Sequence, residues 1–128
     1  MELDYTVPTA KSFNEAVEAV VDAAGVHGFR VQFVHDVAKT LAEKGFDRSP
    51  VTIVEMCNAK YAAETLARDI KIGLMLPCPV MVYVESGEVF ISAMRPSLIS
   101  AVFPAAELDD VAAAVEGKIV AIVDAAAA

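Results

Sequence analysis

The chain has 128 residues, 18 acidic against 10 basic for a net charge of −8, and 56% of it is hydrophobic. That length fits one domain, residues 1–128, and a chain of this size buries roughly two thirds of its unfolded surface without a disulfide or metal staple. An acidic surface with no run of Lys or Arg repels phosphate backbones and anionic headgroups, which argues against nucleic acid and membrane as partners.

The hydrophobic share exceeds the usual ~45–50%, largely through alanine and valine, and leaves apolar surface to spare for a partner. The longest uncharged stretch, Ile72 to Val84, is interrupted by Gly73, Pro77 and Pro79 and is too short to span a bilayer. Met1 to Thr9 carries Glu2 and Asp4 and no apolar signal-peptide core. With only two cysteines, the expectation is a cytoplasmic protein with reduced thiols.

Leu3 to Val7 alternates apolar and polar before Pro8 and reads as a strand. Ser12 and Glu15 form a capping box that opens a helix, with Phe13, Ala16, Val17, Val20 and Ala24 on its apolar face. Gly28 is the expected C′ residue. A second strand follows from Phe29 to Val34, with Phe29, Val31 and Phe33 on one face. Asp36 caps a short helix, Val37 to Lys44, that stops at Gly45.

Val51 to Met56 reads as an internal strand because both its faces are partly apolar. Asn58 then caps a helix from Ala59 to about Arg68, with Ala59, Ala62, Ala63 and Leu66 available for packing. Pro79 to Glu85 and Glu88 to Met94 form a hairpin across Ser86-Gly87. Ser97 to Ala106 is uncharged and apolar. A long helix starts near Glu107 and carries Leu108, Val111, Val115, Ile119 and Ile122 as one stripe, while Ala125 to Ala128 is expected to fray. The expected fold is α+β, with about five strands in an antiparallel or mixed sheet packed against two main helices.

The run Glu55-Met56-Cys57-Asn58-Ala59-Lys60-Tyr61-Ala62 resembles the family known as domain of unknown function 302. So do Leu74-Met75-Leu76-Pro77-Cys78, the Val82-Tyr83 strand, Ser12-Phe13, Gly28-Phe29, Asp36, Lys44-Gly45 and Met94-Arg95-Pro96. These matches run collinearly over almost the whole chain. That family usually places Pro after Cys-Asn, where this chain has Ala59, also a good helix former. The resemblance implies a fold similar to the TATA-binding-protein-like class and a homodimer. It supplies no settled activity, and a shared fold says nothing about DNA binding.

Cys57 is the candidate catalytic side chain. It ends a strand and precedes a helix cap, where amides and the helix dipole can lower a thiol pKa. The plainer alternative is a buried, inert cysteine. Cys78, between Pro77 and Pro79, is a conceivable partner for it. Asn58 and Tyr61 are candidate ligand-binding neighbours, as is Glu55, which would have a raised pKa if it pointed inward. Arg95 either clamps a carboxylate ligand or forms a surface salt bridge. His27 sits at a helix end, and His35 beside Asp36 has metal, haem or plain hydrogen bonding open to it.

No metal-binding, phosphate-loop or serine-hydrolase pattern occurs, so no metal site or cofactor is indicated and the balance leans away from an enzyme. Two functions follow. The first is a homodimeric small-ligand-binding or sensing domain with a pocket between sheet and long helix. The second is thiol-dependent redox or sulfur chemistry at Cys57.

Overall fold

The computed structural model describes residues 2–128. Strands β1 (Asp4–Thr9), β2 (Arg30–Asp36), β3 (Val51–Cys57), β4 (Cys78–Glu85) and β5 (Glu88–Met94) form one sheet in the order β1-β5-β4-β3-β2. Every neighbouring pair is antiparallel. The helices are α1 (Phe13–Val26), α2 (Val37–Ala42), α3 (Ala59–Arg68), α4 (Ser97–Val102) and α5 (Asp109–Ala127). Two 3-10 turns, Ile70–Met75 and Pro104–Ala106, complete the α+β architecture. Among the described residues no helix is long and apolar enough to cross a membrane.

Local sequence signals place the first helix. The Ser12 hydroxyl accepts from the Glu15 amide while the Glu15 carboxylate accepts from the Ser12 amide, closing the capping box. At the other end Gly28 adopts a positive φ of 79°, which glycine tolerates without a Cβ clash. Its amide donates to the Gly25 carbonyl and that of Phe29 to the Ala24 carbonyl, a Schellman ending. Helix α1 therefore stops where the chain must turn into β2.

Because β1 and β2 are the two edges, α1 has to cross the sheet to join them, and α5 lies beside it. Together they cover one face. Ala16, Val20 and Ala24 of α1 and Val115, Ile119, Ile122 and Val123 of α5 meet Val54, Met56, Val80, Val82, Ile91 and Ala93 from the strands. The predicted α5 stripe is buried along its full length, from Leu108 to Ile122.

The tight link between β4 and β5 is as expected, with Ser86 and Gly87 both at positive φ in the manner of a type I′ turn. Strand β3 is internal, as read from its two apolar faces.

Several expectations are corrected. Strand β1 runs through Pro8 to Thr9, because an edge strand leaves Pro8 no ladder bond to lose. The register of β2 shifts between Val31 and Phe33, so Phe29 is buried while Phe33 is 57% exposed, and the two do not share a face. Helix α2 ends at Ala42, and α3 contains no fully buried residue, with Ala59 and Ala63 exposed. The apolar segment before α5 forms α4 and a 3-10 turn, and α5 begins at Asp109.

The alanine tail does not fray. Ala126 is buried, the Thr9 hydroxyl donates to the Ala127 carbonyl at 2.9 Å, and Lys11 donates to the Ala128 carbonyl.

Candidate functional site

At one end of the sheet the helix layer does not close. A second, smaller cluster forms there from Ile72, Ile99 and Leu108, with Met75, Met94 and Phe103 against it. Between this cluster and the strand ends lies a cavity. It holds about 500 Å³ of empty space, its open mouth included, of which about 50 Å³ admits the centre of a water-sized sphere. One water needs ~10–15 Å³ by that kind of measure, so the interior is narrow but roomier than a packing defect.

Strands, helices and the first 3-10 turn build the wall together. The strands contribute Cys57 and Cys78, with Phe29 just before β2. Helix α3 contributes Asn58, Tyr61, Ala62 and Thr65. Helix α5 and its approach contribute Leu108, Val111, Ala112 and Val115. Ile72, Leu76, Pro96 and Ile99 complete it. No Lys, Arg, His, Asp or Glu is among these side chains.

The polar side chains in the wall are mostly committed to the fold. Asn58 caps α3 by accepting from the Tyr61 amide at 3.2 Å, and its amide nitrogen donates to the Gly28 carbonyl at 3.0 Å. It thus ties the start of α3 to the turn between α1 and β2. The Thr65 hydroxyl donates to the Ala62 carbonyl inside α3. That leaves the Tyr61 hydroxyl and the two thiols to meet a guest.

Both cysteines are free. Of the two readings of Cys57, a thiol acidified by the start of α3 and a buried, inert cysteine, burial favours the second. Burial pushes the Cys57 thiol up from its ordinary value. Burial first, and the neighbouring Cys57 second, push the Cys78 thiol up to about 11. The apolar wall disfavours a thiolate more than the helix amides favour it, so both sulfurs are protonated at neutral pH.

The sequence candidates therefore separate into two groups. Cys57, Asn58, Tyr61 and Cys78 come together in one wall. Glu55 does not join them. It pairs with Phe33 and Pro79 and alternates with the buried Val54 and Met56, so it is no inward carboxylate. Arg95 is also elsewhere. Its guanidinium lies 5.3 Å from the centre of the Tyr5 ring, donates to Glu2 at 3.1 Å and to the Asp4 carbonyl, and pairs with Glu116 at 3.6 Å. That is the salt-bridge alternative, fastening the start of β1 to α5.

His27 is the C-cap residue of α1. His35 lies 3.3 Å from the Thr40 hydroxyl and against the Phe33 ring, outside the cavity. Among the described residues no group of three or more His, Cys, Asp or Glu side chains gathers as a metal cluster would require.

Sequence reasoning missed Ile72, Ile99 and Pro96 as wall residues. Ile99 lay within the uncharged segment before α5, a usable sign of something buried. Ile72 sits between Lys71 and Gly73 in a 3-10 turn and carried no periodic signal.

The family model described as "Domain of unknown function DUF302" matches residues 5–126. The chain belongs to the DUF302 family. The crystal structure of an uncharacterized conserved DUF302 protein from Bacillus stearothermophilus is similar at 31% identity. Its TM-score is 0.93, over 98% of this chain and 99% of that one. No curated protein is similar to the chain. The DUF302 frame accounts for the sheet and the two covering helices.

Proposed function

We propose that this DUF302 domain is a binding module for a small, uncharged, predominantly apolar molecule, held in the cavity between the strand ends, α3 and α5. The observation that carries this reading is the wall itself, which has no ionisable side chain other than two protonated thiols and the Tyr61 phenol. A carboxylate or phosphate ligand would lose its hydration there and find no cation to replace it. A slender apolar guest would gain from leaving water and could direct one polar atom to the Tyr61 hydroxyl.

A fluorescent alkyl probe titrated into the protein tests the proposal. Wild type is expected to bind it and to melt at a higher temperature in its presence, because a ligand of the folded state stabilises that state. Ala112→Leu, which fills the cavity from α5, is expected to abolish binding while leaving the unliganded fold intact. Unchanged probe binding in Ala112→Leu would place the guest elsewhere and remove the proposal.

The domain is further proposed to act as a homodimer. Support comes from the β2 edge, where Phe33 and Val34 are exposed on a strand with unpaired backbone groups. A monomer at micromolar concentration in sedimentation equilibrium would refute this part alone. The thiol-chemistry alternative is the less favoured reading, because burial pushes both thiols up.

A further inference from the structure

The sheet has a second face, which α1 and α5 leave uncovered. Register fixes the side chains that stand on it. Val54, Val80, Val82 and Ile91 point into the core, so the residues that alternate with them point away. Met81, on the middle strand, is at the centre of this outer face, flanked by Ile53 and Ser92. One pair along, Tyr83 lies between Val51 and Phe90, and the Tyr83 and Phe90 rings stack at 5.4 Å. Ile53, Met81, Tyr83 and Phe90 belong to neither buried cluster, and Phe33, at the β2 edge of the same face, is 57% exposed.

An antiparallel sheet that shows one face to water usually makes that face polar. Here the charged groups are pushed to the margins. Asp4 and Glu55 stand toward one end of the strands, and Glu85 and Glu88 at the hairpin end. Nearer the middle, the Thr6 and Ser92 hydroxyls satisfy each other at 2.6 Å and lose little on leaving water. An apolar centre inside a polar rim is the anatomy of a protein interface. Strands ~4.8 Å apart and residues rising ~3.4 Å make this face about 24 Å by 20 Å, roughly 480 Å². Two such faces come close to the ~1,000 Å² that a specific interface needs, before side-chain relief adds to the area.

We infer that the outer face packs against the same face of a second copy. The inference rests on the homodimer proposed above and makes it a four-layer sandwich with α1 and α5 outermost. The surface is complementary to itself. A two-fold axis along β4 brings Met81, an adaptable side chain, against the partner's Met81. The same axis sets Ile53 over the partner's Ser92 and Phe90 over the partner's Val51. Ser92 and Val51 are hollows between larger neighbours, 9% and 8% exposed, so large meets small on both sides of the axis. A partner selected by charge would be basic, and the centre of the face holds no group that rewards a cation.

Sedimentation equilibrium of the full chain tests the assignment. Wild type is expected to be a dimer at micromolar concentration. Met81→Arg, which sets two unpaired charges at the axis, is expected to weaken it at least about a hundredfold. Val34→Lys, on the β2 edge, is expected to leave it nearly unchanged. A Met81→Arg dimer as tight as wild type would overturn the face and leave the homodimer standing, whereas a monomeric wild type removes both. Added salt is expected to tighten the dimer, because both rims are acidic. Dissociation by salt would mean that ion pairs hold the copies and would sink the apolar contact.

Should Met81→Arg fail to fold, small-angle scattering of wild type decides the question. A compact four-layer particle supports the inference, and an elongated one joined at the β2 edges refutes it. Alkyl-probe binding is independent of either result.

Discussion

The middle of the helix layer and its cavity end are built on different terms. Over the middle of the sheet, α1 and α5 interlock small side chains with the strands, and Ala16, Val20, Ala24, Val54, Met56 and Ile122 are all fully buried. At the cavity end, α3 buries no residue fully, and α4, the 3-10 turn after it and α5 all begin without a side-chain cap. Glu107 even takes a left-handed backbone, with φ of 53°, to lead into α5. Close packing fixes the first region. The second is held by a few polar ties, including Ser97 to Glu116, Ser100 to Asp109, and Arg68 to Asp110 and the Glu107 carbonyl. A binding cavity belongs in the second kind of region, because close-packed interiors leave no space to fill.

The sharpest way to break this comparison is to truncate one side chain in each region. Met56→Ala is expected to cost about 3–5 kcal/mol in urea unfolding, the upper part of the range for emptying a packed site. Leu108→Ala, on the cavity wall, is expected to cost only about 2 kcal/mol because one side of Leu108 already lacks partners. Equal costs would show that the cavity end is packed as tightly as the middle.

Alkaline pH offers a second test. The folded state holds Cys78 protonated up to about pH 11, whereas the unfolded thiol ionises near its ordinary value. Between those values the folded state binds more protons, so the contribution is complete below the unfolded pKa and is lost as pH rises through the folded one. The loss should approach about 2 kcal/mol by pH 11. In Cys78→Ala the slope of stability against pH should be shallower over that interval. An identical slope would mean that the thiol is not buried in solution.

Smaller effects separate the caps. Asn58→Ala removes both the α3 cap and the bond to the Gly28 carbonyl, and is expected to cost about 1–2 kcal/mol by thermal unfolding. Ser12→Ala, which removes only a helix cap, should cost about 1 kcal/mol. Asn58 should also affect probe binding, and Ser12 should not. Least of all, Arg95→Gln is expected to change stability by less than about 1 kcal/mol and to do so less at high salt, because its carboxylate partner Glu2 is well exposed.

Legibility in the sequence followed the same division. The caps at Ser12, Asp36 and Asn58, the Gly28 ending and the Ser86-Gly87 hairpin are decided by residues a few positions apart, and all could be read directly. The placement of Cys57 at the junction of strand and helix was equally local. What could not be read depended on distant segments. The β2 register shift that turns Phe33 away from Phe29 requires β3, and the burial of Ala126 requires the β1–α1 corner. The direction of the Cys57 pKa shift depends on how closely α5 and the Ile72 turn wall off the sulfur. Local spacing left an acidified and an inert thiol both open, and long-range burial weighs toward the inert one.

The connection of the two sheet edges by α1 also orders events in time. Strand β1 is made before the other four, yet among the described residues its only sheet neighbour is β5, so Tyr5 and Val7 have no lasting strand partner until Ala93 and Ile91 have been made. The β4–β5 hairpin, with its short turn, can assemble at once, while the opening strand must be returned over a long stretch of chain and added last. A nascent chain interrupted before Met94 would present a sheet with β1 still unbound.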